Sequence, residues 1–214
     1  FPSTEYNQDT WHTVMGIDFG FNDQTAFSVI GWRKDNPTAY VLETYGQSGL
    51  SVSGIASILQ RLKAKYNPRK IVGDPAGASK IIIEEFSDKY HIFIDSAQKT
   101  NKAHYIEILN DALINSELIL VPNTTEELQR EMKSVVWNEN RTAELEGIKC
   151  DHLDATLYAF RESLEYLETV PRPVVMDEAY HERKFLDQVL KAEKEHQERL
   201  KGDQFFDDIS AFLD

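Results

Sequence analysis

Residues 13–45 have the sequence TVMGIDFGFNDQTAFSVIGWRKDNPTAYVLETY, in which three runs are rich in β-branched and aromatic residues. Two short polar segments, at 21–24 and 34–37, separate the runs and have the composition of hairpin turns. We therefore predict three consecutive strands, at 13–19, 24–33 and 38–45. Neighbouring strands with such short connections pair antiparallel, so we expect these three strands to form the antiparallel part of a sheet.

Beyond residue 45 the apolar period changes from that of a strand to that of a helix, as in the recurrence from Ile55 to Leu62. Further strands are predicted at 70–73, 91–95 and 118–121, and further helices at 78–89, 102–115, 125–136 and 151–167. Three antiparallel strands followed by strands that alternate with helices indicate an α/β fold. We expect a mixed sheet with helices on both faces.

Aspartates lie at the ends of three of these predicted elements. Asp18 closes the first strand, Asp74 follows the strand at 70–73, and Asp151 and Asp154 open the last helix. Open sheets bind ligands at the carboxyl ends of parallel strands, and acidic groups gathered there repel one another unless cations neutralise them. The pattern predicts a divalent-metal site. Oxygen ligands without cysteine or clustered histidine favour Mg²⁺ or Mn²⁺ over zinc.

Each aspartate taken singly also has a structural explanation. Asp18 fits a strand-end turn, Asp74 fits a helix N-cap, and Asp151 fits an N-cap with Asp154 in the first turn. The glycines that flank Asp18 would let a ligand approach the backbone closely. The functional interpretation depends on the three segments occurring together.

Together and in this order, the motifs Gly16-Ile-Asp18, Gly73-Asp74-Pro75 and Asp151-x-x-Asp154-Ala155 resemble a known family. It is the RNase H-like nuclease domain of tailed-phage terminase large subunits, and the resemblance covers about residues 12–168. In that family the motif aspartates bind divalent metal and cleave concatemeric DNA during packaging. The resemblance implies that Asp18, Asp74 and Asp151 are catalytic metal ligands and that Asp154 is a second-rank ligand.

The resemblance also implies the reaction, which is two-metal hydrolysis of double-stranded DNA by Mg²⁺ or Mn²⁺ with little sequence specificity. The ATP-driven motor of the family needs a G-x-x-x-x-G-K-[ST] loop, and this spacing does not occur in the chain. We therefore expect the nuclease half of a longer protein. Many members carry Asp-Asp where this chain has Asp151-His152; we expect His152 to be a surface residue, with a proton carrier as the alternative.

The net charge of −13 argues against a general nucleic-acid coat and against binding to anionic membranes. DNA contacts must then come from scattered cations, and Lys99, Lys102 and Arg141 are the candidates. So few contacts predict weak, salt-sensitive binding. The single cysteine, Cys150, fits a reducing compartment, and the resemblance places the protein in the cytoplasm of the infected bacterium.

We predict four segments, namely an N-terminal extension at 1–12, the nuclease domain at 13–168, a linker at 169–175 and a helical tail at 176–214. The end of the tail is acidic and places aromatic and aliphatic residues along one helical face. Such a tail is a candidate docking peptide for a portal, a small terminase subunit or other copies of the chain. The alternative is a terminal helix packed on its own domain.

Three other functions compete with the terminase interpretation. A Holliday-junction resolvase would share the site and differ in its substrate. The segment from Gly16 to Gly20 also resembles the first phosphate motif of actin-like ATPases, which need a second glycine-rich loop and a second domain. The third is a non-enzymatic acidic adaptor, whose aspartates only cap helices and form turns while the tail binds a partner.

Overall fold

The computed structural model describes residues 10–20, 23–33, 36–74, 80–134 and 150–167. The elements within these ranges are, in chain order, β1 Trp11–Asp18, β2 Gln24–Arg33, β3 Asn36–Ser48, α1 Val52–Tyr66, β4 Lys70–Gly73, α2 Lys80–Tyr90, β5 Asp95–Ser96, α3 Lys102–Ile114, β6 Leu118–Leu120, α4 Glu126–Ser134 and α5 Asp151–Leu167.

The described strands form one sheet in the order β5-β4-β1-β2-β3-β6. The pairs β1–β2 and β2–β3 are antiparallel, which confirms the three strands predicted from residues 13–45. The remaining pairs, β1–β4, β4–β5 and β3–β6, are parallel. The carboxyl ends of β1, β4 and β5 therefore lie next to one another along one edge of the sheet.

Helices cover both faces of this sheet, as predicted. Because alternate residues of a strand point to opposite faces, Met15 and Val14 enter different apolar clusters. Met15 packs with residues of α1 and α2, including Leu59 and Phe86. Val14 packs with residues of α3, α4 and α5, including Phe160. The sheet is thus buried on both sides, and α5 belongs to the face opposite α1.

One predicted strand was wrong in its extent. The apolar run at 91–95 predicts a full strand, but only Asp95–Ser96 pairs with β4. Ile92 is buried against the helical layer while Phe93 is 72% exposed, so the run does not extend the sheet. The linker predicted at 169–175 and the tail predicted at 176–214 lie outside the described residues. In the described part of the chain, no helix is both long enough and apolar enough to cross a bilayer.

Candidate metal centre

Asp18 and Asp74 occupy equivalent positions on adjacent parallel strands. Ile17 of β1 is the register partner of Gly73 of β4, so each aspartate is the next residue along its own strand. Backbones of neighbouring strands are about 4.8 Å apart, and both side chains therefore start from the same edge of the sheet. The sequence placed both residues at strand ends, and the structure brings these two strand ends side by side.

Helix α5 brings the second pair of aspartates to this edge because it lies directly against β1. A Cβ atom on Gly16 would be 1.9 Å from the carbonyl oxygen of Ala155 and 2.9 Å from the amide nitrogen of Ala159. Only glycine leaves room for this approach. The space beside Gly16, which the sequence suggested for a ligand, is occupied by the backbone of α5. This close packing places the first turn of α5, with Asp151 and Asp154, near the end of β1.

The start of α5 is held by Glu131, a residue of α4 that the sequence analysis did not identify. Its carboxylate accepts hydrogen bonds from the backbone N–H of His152, at 3.2 Å, and of Leu153, at 2.8 Å. These N–H groups have no partner within their own helix, and the negative charge suits the positive end of the helix dipole. Burial raises the pKa of Glu131 to about 7, although the two hydrogen bonds act to lower it. No local pattern indicates this contact, because it joins residues 21 and 22 positions apart.

His152 is buried and is not the surface residue that we expected. It is 2% exposed, and its Nε2 lies 3.3 Å from Nε2 of Gln24 at the start of β2. A Cβ atom on Gly46 would be 2.5 Å from the same ring nitrogen, so Gly46 makes room for the imidazole. Burial lowers the pKa of His152, which favours a neutral ring. The contacts with Gln24 and Gly46 indicate a packing role between α5 and the sheet.

Three aspartates act electrostatically on Asp18. The pKa of Asp18 is raised from its ordinary value of 3.8 to about 7, first by burial and then by Asp154, Asp151 and Asp74 in that order. Lys99 opposes this rise. Among the neighbouring charges, Asp154 has the largest effect on this pKa. Such a group of acids stores repulsion that a bound cation would relieve.

Tyr158 is a second residue that the sequence analysis missed. It is 8% exposed, and burial together with Asp154, Asp18 and Asp74 raises the pKa of its hydroxyl. The phenol therefore stays protonated among the carboxylates and can donate a hydrogen bond there. Its position four residues after Asp154 puts both on one face of α5, a spacing that could have identified it.

Two of the three predicted DNA contacts lie at these carboxylates. Lys99 forms an ion pair with Asp74, and Nζ of Lys102 lies 2.6 Å from Oδ1 of Asp154. Arg141 is outside the described residues. In the part of the chain that is described, no three His, Cys, Asp or Glu side chains surround a common point as a metal requires. The donors nevertheless suit Mg²⁺ or Mn²⁺, since they are carboxylate oxygens. Without metal, the ammonium groups of the two lysines compensate part of the repulsion between these carboxylates.

Comparison with known proteins gives consistent matches. The model of the family described as "Terminase RNaseH-like domain" matches residues 15–162. The large terminase subunit of Escherichia phage T5 is 33% identical over 72 residues, which are 34% of this chain and 16% of that protein.

Solved structures of large terminases share the fold. One from a thermophilic bacteriophage has a TM-score of 0.60 at 21% identity, and the match covers 74% of this chain and 41% of that one. The nuclease domain of the large terminase of bacteriophage SPP1, solved with bound Mn, has a TM-score of 0.56 at 20% identity, covering 71% and 86%. This chain thus corresponds to less than half of the thermophilic phage protein and to most of the isolated SPP1 domain.

Proposed function

The chain belongs to the terminase RNase H-like domain family, and on this premise we propose that it is a metal-dependent endodeoxyribonuclease that cuts concatemeric double-stranded DNA during genome packaging. The observation that supports the proposal is the placement of Asp18 and Asp74 at adjacent strand ends, with Asp154 and Asp151 near enough to raise the pKa of Asp18. Little sequence specificity is expected, because the candidate contacts to DNA are few and cationic.

The four aspartates would hold the metal. Asp18, Asp74 and Asp151 are the ligands that the family motifs designate, and Asp154, which also raises the pKa of Asp18, is the fourth candidate. Two Mg²⁺ or Mn²⁺ ions, when bound, would supply an activated water and stabilise the leaving oxygen of an in-line displacement at phosphorus. The manganese in the related SPP1 domain supports this choice of metal.

The remaining residues of the site position these ligands. Glu131 holds the first turn of α5, and buried His152 holds the same turn against β2. Tyr158 offers a protonated hydroxyl beside the carboxylates, which suits an oxygen of a DNA phosphate better than it suits a cation.

The wider setting follows from the family. We propose double-stranded DNA as the substrate, the packaging complex as the assembly, and the cytoplasm of the infected bacterium as the location. The motor that packaging requires would lie in another part of the protein, since this chain spans only 41% of the thermophilic phage terminase. Docking of residues 176–214 on a portal, a small terminase subunit or another copy stays a prediction, because these residues lie outside the described ranges.

Loss of either strand-end aspartate should abolish the reaction. We expect Asp18→Ala and Asp74→Ala to reduce Mn²⁺-dependent nicking of plasmid DNA by more than about 100-fold, since even partners outside the coordination shell typically cost 10–100-fold. Asp88→Ala, at an exposed position of α2, is the matched control and should cut at the wild-type rate. Circular dichroism checks the fold, and a chelator should stop the wild-type reaction. Undiminished cutting by Asp18→Ala would end the assignment.

A further inference from the structure

Two lysines, three residues apart, each pair with a different candidate metal ligand. Lys99 pairs with Asp74, and Nζ of Lys102 lies 2.6 Å from Oδ1 of Asp154. The aspartate side chains are mostly buried, at 13% and 22% exposed, whereas the lysine side chains are 49% and 36% exposed. The ammonium groups therefore reach the carboxylates from the solvent side, which is the side that a DNA backbone would approach.

The fold places these lysines at the site. Strand β5 runs parallel to β4, and the N–H of Ala97 donates to the carbonyl of Gly73 at 2.8 Å, so the chain leaves the sheet at the same edge as Asp74. Asn101, with a left-handed φ of 57°, turns the chain into α3. Helix α3 is fixed to α5 by the guanidinium of Arg161, 3.8 Å from the centre of the Tyr105 ring. Both lysines are thus carried by a segment that is attached to the carboxylate-bearing elements.

Charge balance shows why these ion pairs should be exchangeable. When ionised, the four aspartates carry four negative charges, and the two lysines offset two of them. Two divalent cations would offset all four without the lysines. A divalent cation bound to these carboxylates would cancel their attraction for a nearby ammonium group and would itself repel that group. The released ammonium group would then face the negative phosphates of DNA.

Resting on the proposed function, we propose that Lys99 and Lys102 are exchangeable counter-ions of the metal centre. In the metal-free protein they neutralise Asp74 and Asp154. When divalent ions bind these carboxylates, the lysines transfer to the backbone phosphates of the substrate. Metal binding and DNA binding are then coupled through the same two side chains, and the protein presents its cationic DNA contacts only once the metal is in place.

Replacing either lysine should strengthen metal binding and weaken DNA binding. Removing a lysine removes a competitor of the metal, so Lys99→Gln and Lys102→Gln should each bind Mn²⁺ about two- to fivefold more tightly without DNA, the range expected for a partly exposed ion pair. The same variants should bind DNA less well. The slope of log KM for linear duplex DNA against log salt concentration should fall by about 1 for each lysine.

Calorimetric titration with Mn²⁺ alone, followed by cleavage kinetics at several salt concentrations, tests this. Lys89→Gln is the matched control, because Lys89 forms a surface pair with Glu85 on α2, and it should change neither quantity. Unchanged or weaker Mn²⁺ binding by the site variants, or an unchanged salt slope, would overturn the inference while the proposed function stands. Absence of Mn²⁺ binding by the wild-type protein would instead overturn the proposed function, and the inference with it.

Discussion

Asp18, a candidate metal ligand, illustrates how a buried carboxyl group lowers the stability of the fold that holds it. Its carboxyl group is largely buried beside three other aspartates, and its pKa is therefore raised to about 7. At neutral pH without metal, its ionisation costs free energy that packing elsewhere must offset. A bound divalent cation would remove this cost. Metal binding should therefore raise the free energy of unfolding more in this protein than in one whose carboxylates are solvated.

The pH dependence of stability follows from the direction of this pKa change. Between pH 3.8 and about 7 the folded state binds a proton at Asp18 that the unfolded state has released, so the free energy of unfolding falls as pH rises through this window. Asp18→Asn removes the effect. In chelator at pH 8 the variant should be more stable than wild type, by at most about 4 kcal/mol, and at pH 4 the two should be nearly equal. Urea unfolding at both pH values measures the difference; a variant that is less stable at pH 8 would contradict this view.

Strand-end aspartates were predictable because their position depends on local sequence. The apolar runs before Asp18 and Asp74 identify the strands, and the parallel pairing then follows from the order of elements. The burial of His152 was not predictable in the same way. It depends on Gln24 of β2 and Gly46 of β3, and neither residue shows in the sequence that it accommodates an imidazole.

The elements themselves follow the apolar periodicity closely. Helix α5 runs from Asp151 to Leu167 as predicted, and Ser51 caps α1 by accepting a hydrogen bond from the N–H of Gly54. The failure at 91–95 arises because a short apolar run fits either a strand or a packed coil, and only tertiary contacts decide between them. What no periodicity showed is the close contact of α5 with β1, on which the geometry of the site depends.

Substitution of Gly16 tests the contact between α5 and β1. An added Cβ atom would overlap the backbone of α5 at Ala155, and backbone cannot move aside as a side chain can. We expect Gly16→Ala to lower the free energy of unfolding by at least about 3 kcal/mol, the upper range for overpacking. Gly54→Ala in the first turn of α1 is the control: its nearest neighbour would be a Leu50 side-chain atom at 3.3 Å, so the substitution should change the free energy of unfolding by less than about 1 kcal/mol. Equal effects of the two substitutions in urea unfolding would refute the proposed packing.

Glu131 tests how the first turn of α5 is held. Replacing its carboxylate by an amide leaves one acceptor for two N–H groups, and Glu131→Gln should cost about 1–3 kcal/mol in metal-free protein at neutral pH. It should also weaken Mn²⁺ binding, because Asp151 and Asp154 belong to that turn. Glu126→Gln, at an exposed position of the same helix, should change stability by less than about 0.5 kcal/mol. If both variants unfold at the same urea concentration, Glu131 does not hold the helix.

At the scale of the whole molecule, the position of the candidate site follows from the order of strands. Three neighbouring parallel strands end at one edge, where β1 and β4 supply aspartates and the chain after β5 supplies lysines. The sequence predicted the mixed sheet and the acids but treated the lysines as separate contacts, because their pairing depends on the position of β5 beside β4. The segment boundaries predicted at residues 12, 168 and 175 stay predictions.

The central claim is that these remote acids converge to bind divalent cations. A crystal structure of the protein soaked in Mn²⁺, with anomalous scattering to locate the metal, tests it most directly. We expect manganese at the carboxyl ends of β1 and β4, bound by oxygens of Asp18, Asp74, Asp151 and Asp154, with Lys99 and Lys102 no longer paired to these carboxylates. Manganese bound elsewhere, or saturating Mn²⁺ that leaves both lysine pairs intact and this edge without metal, would contradict the claim.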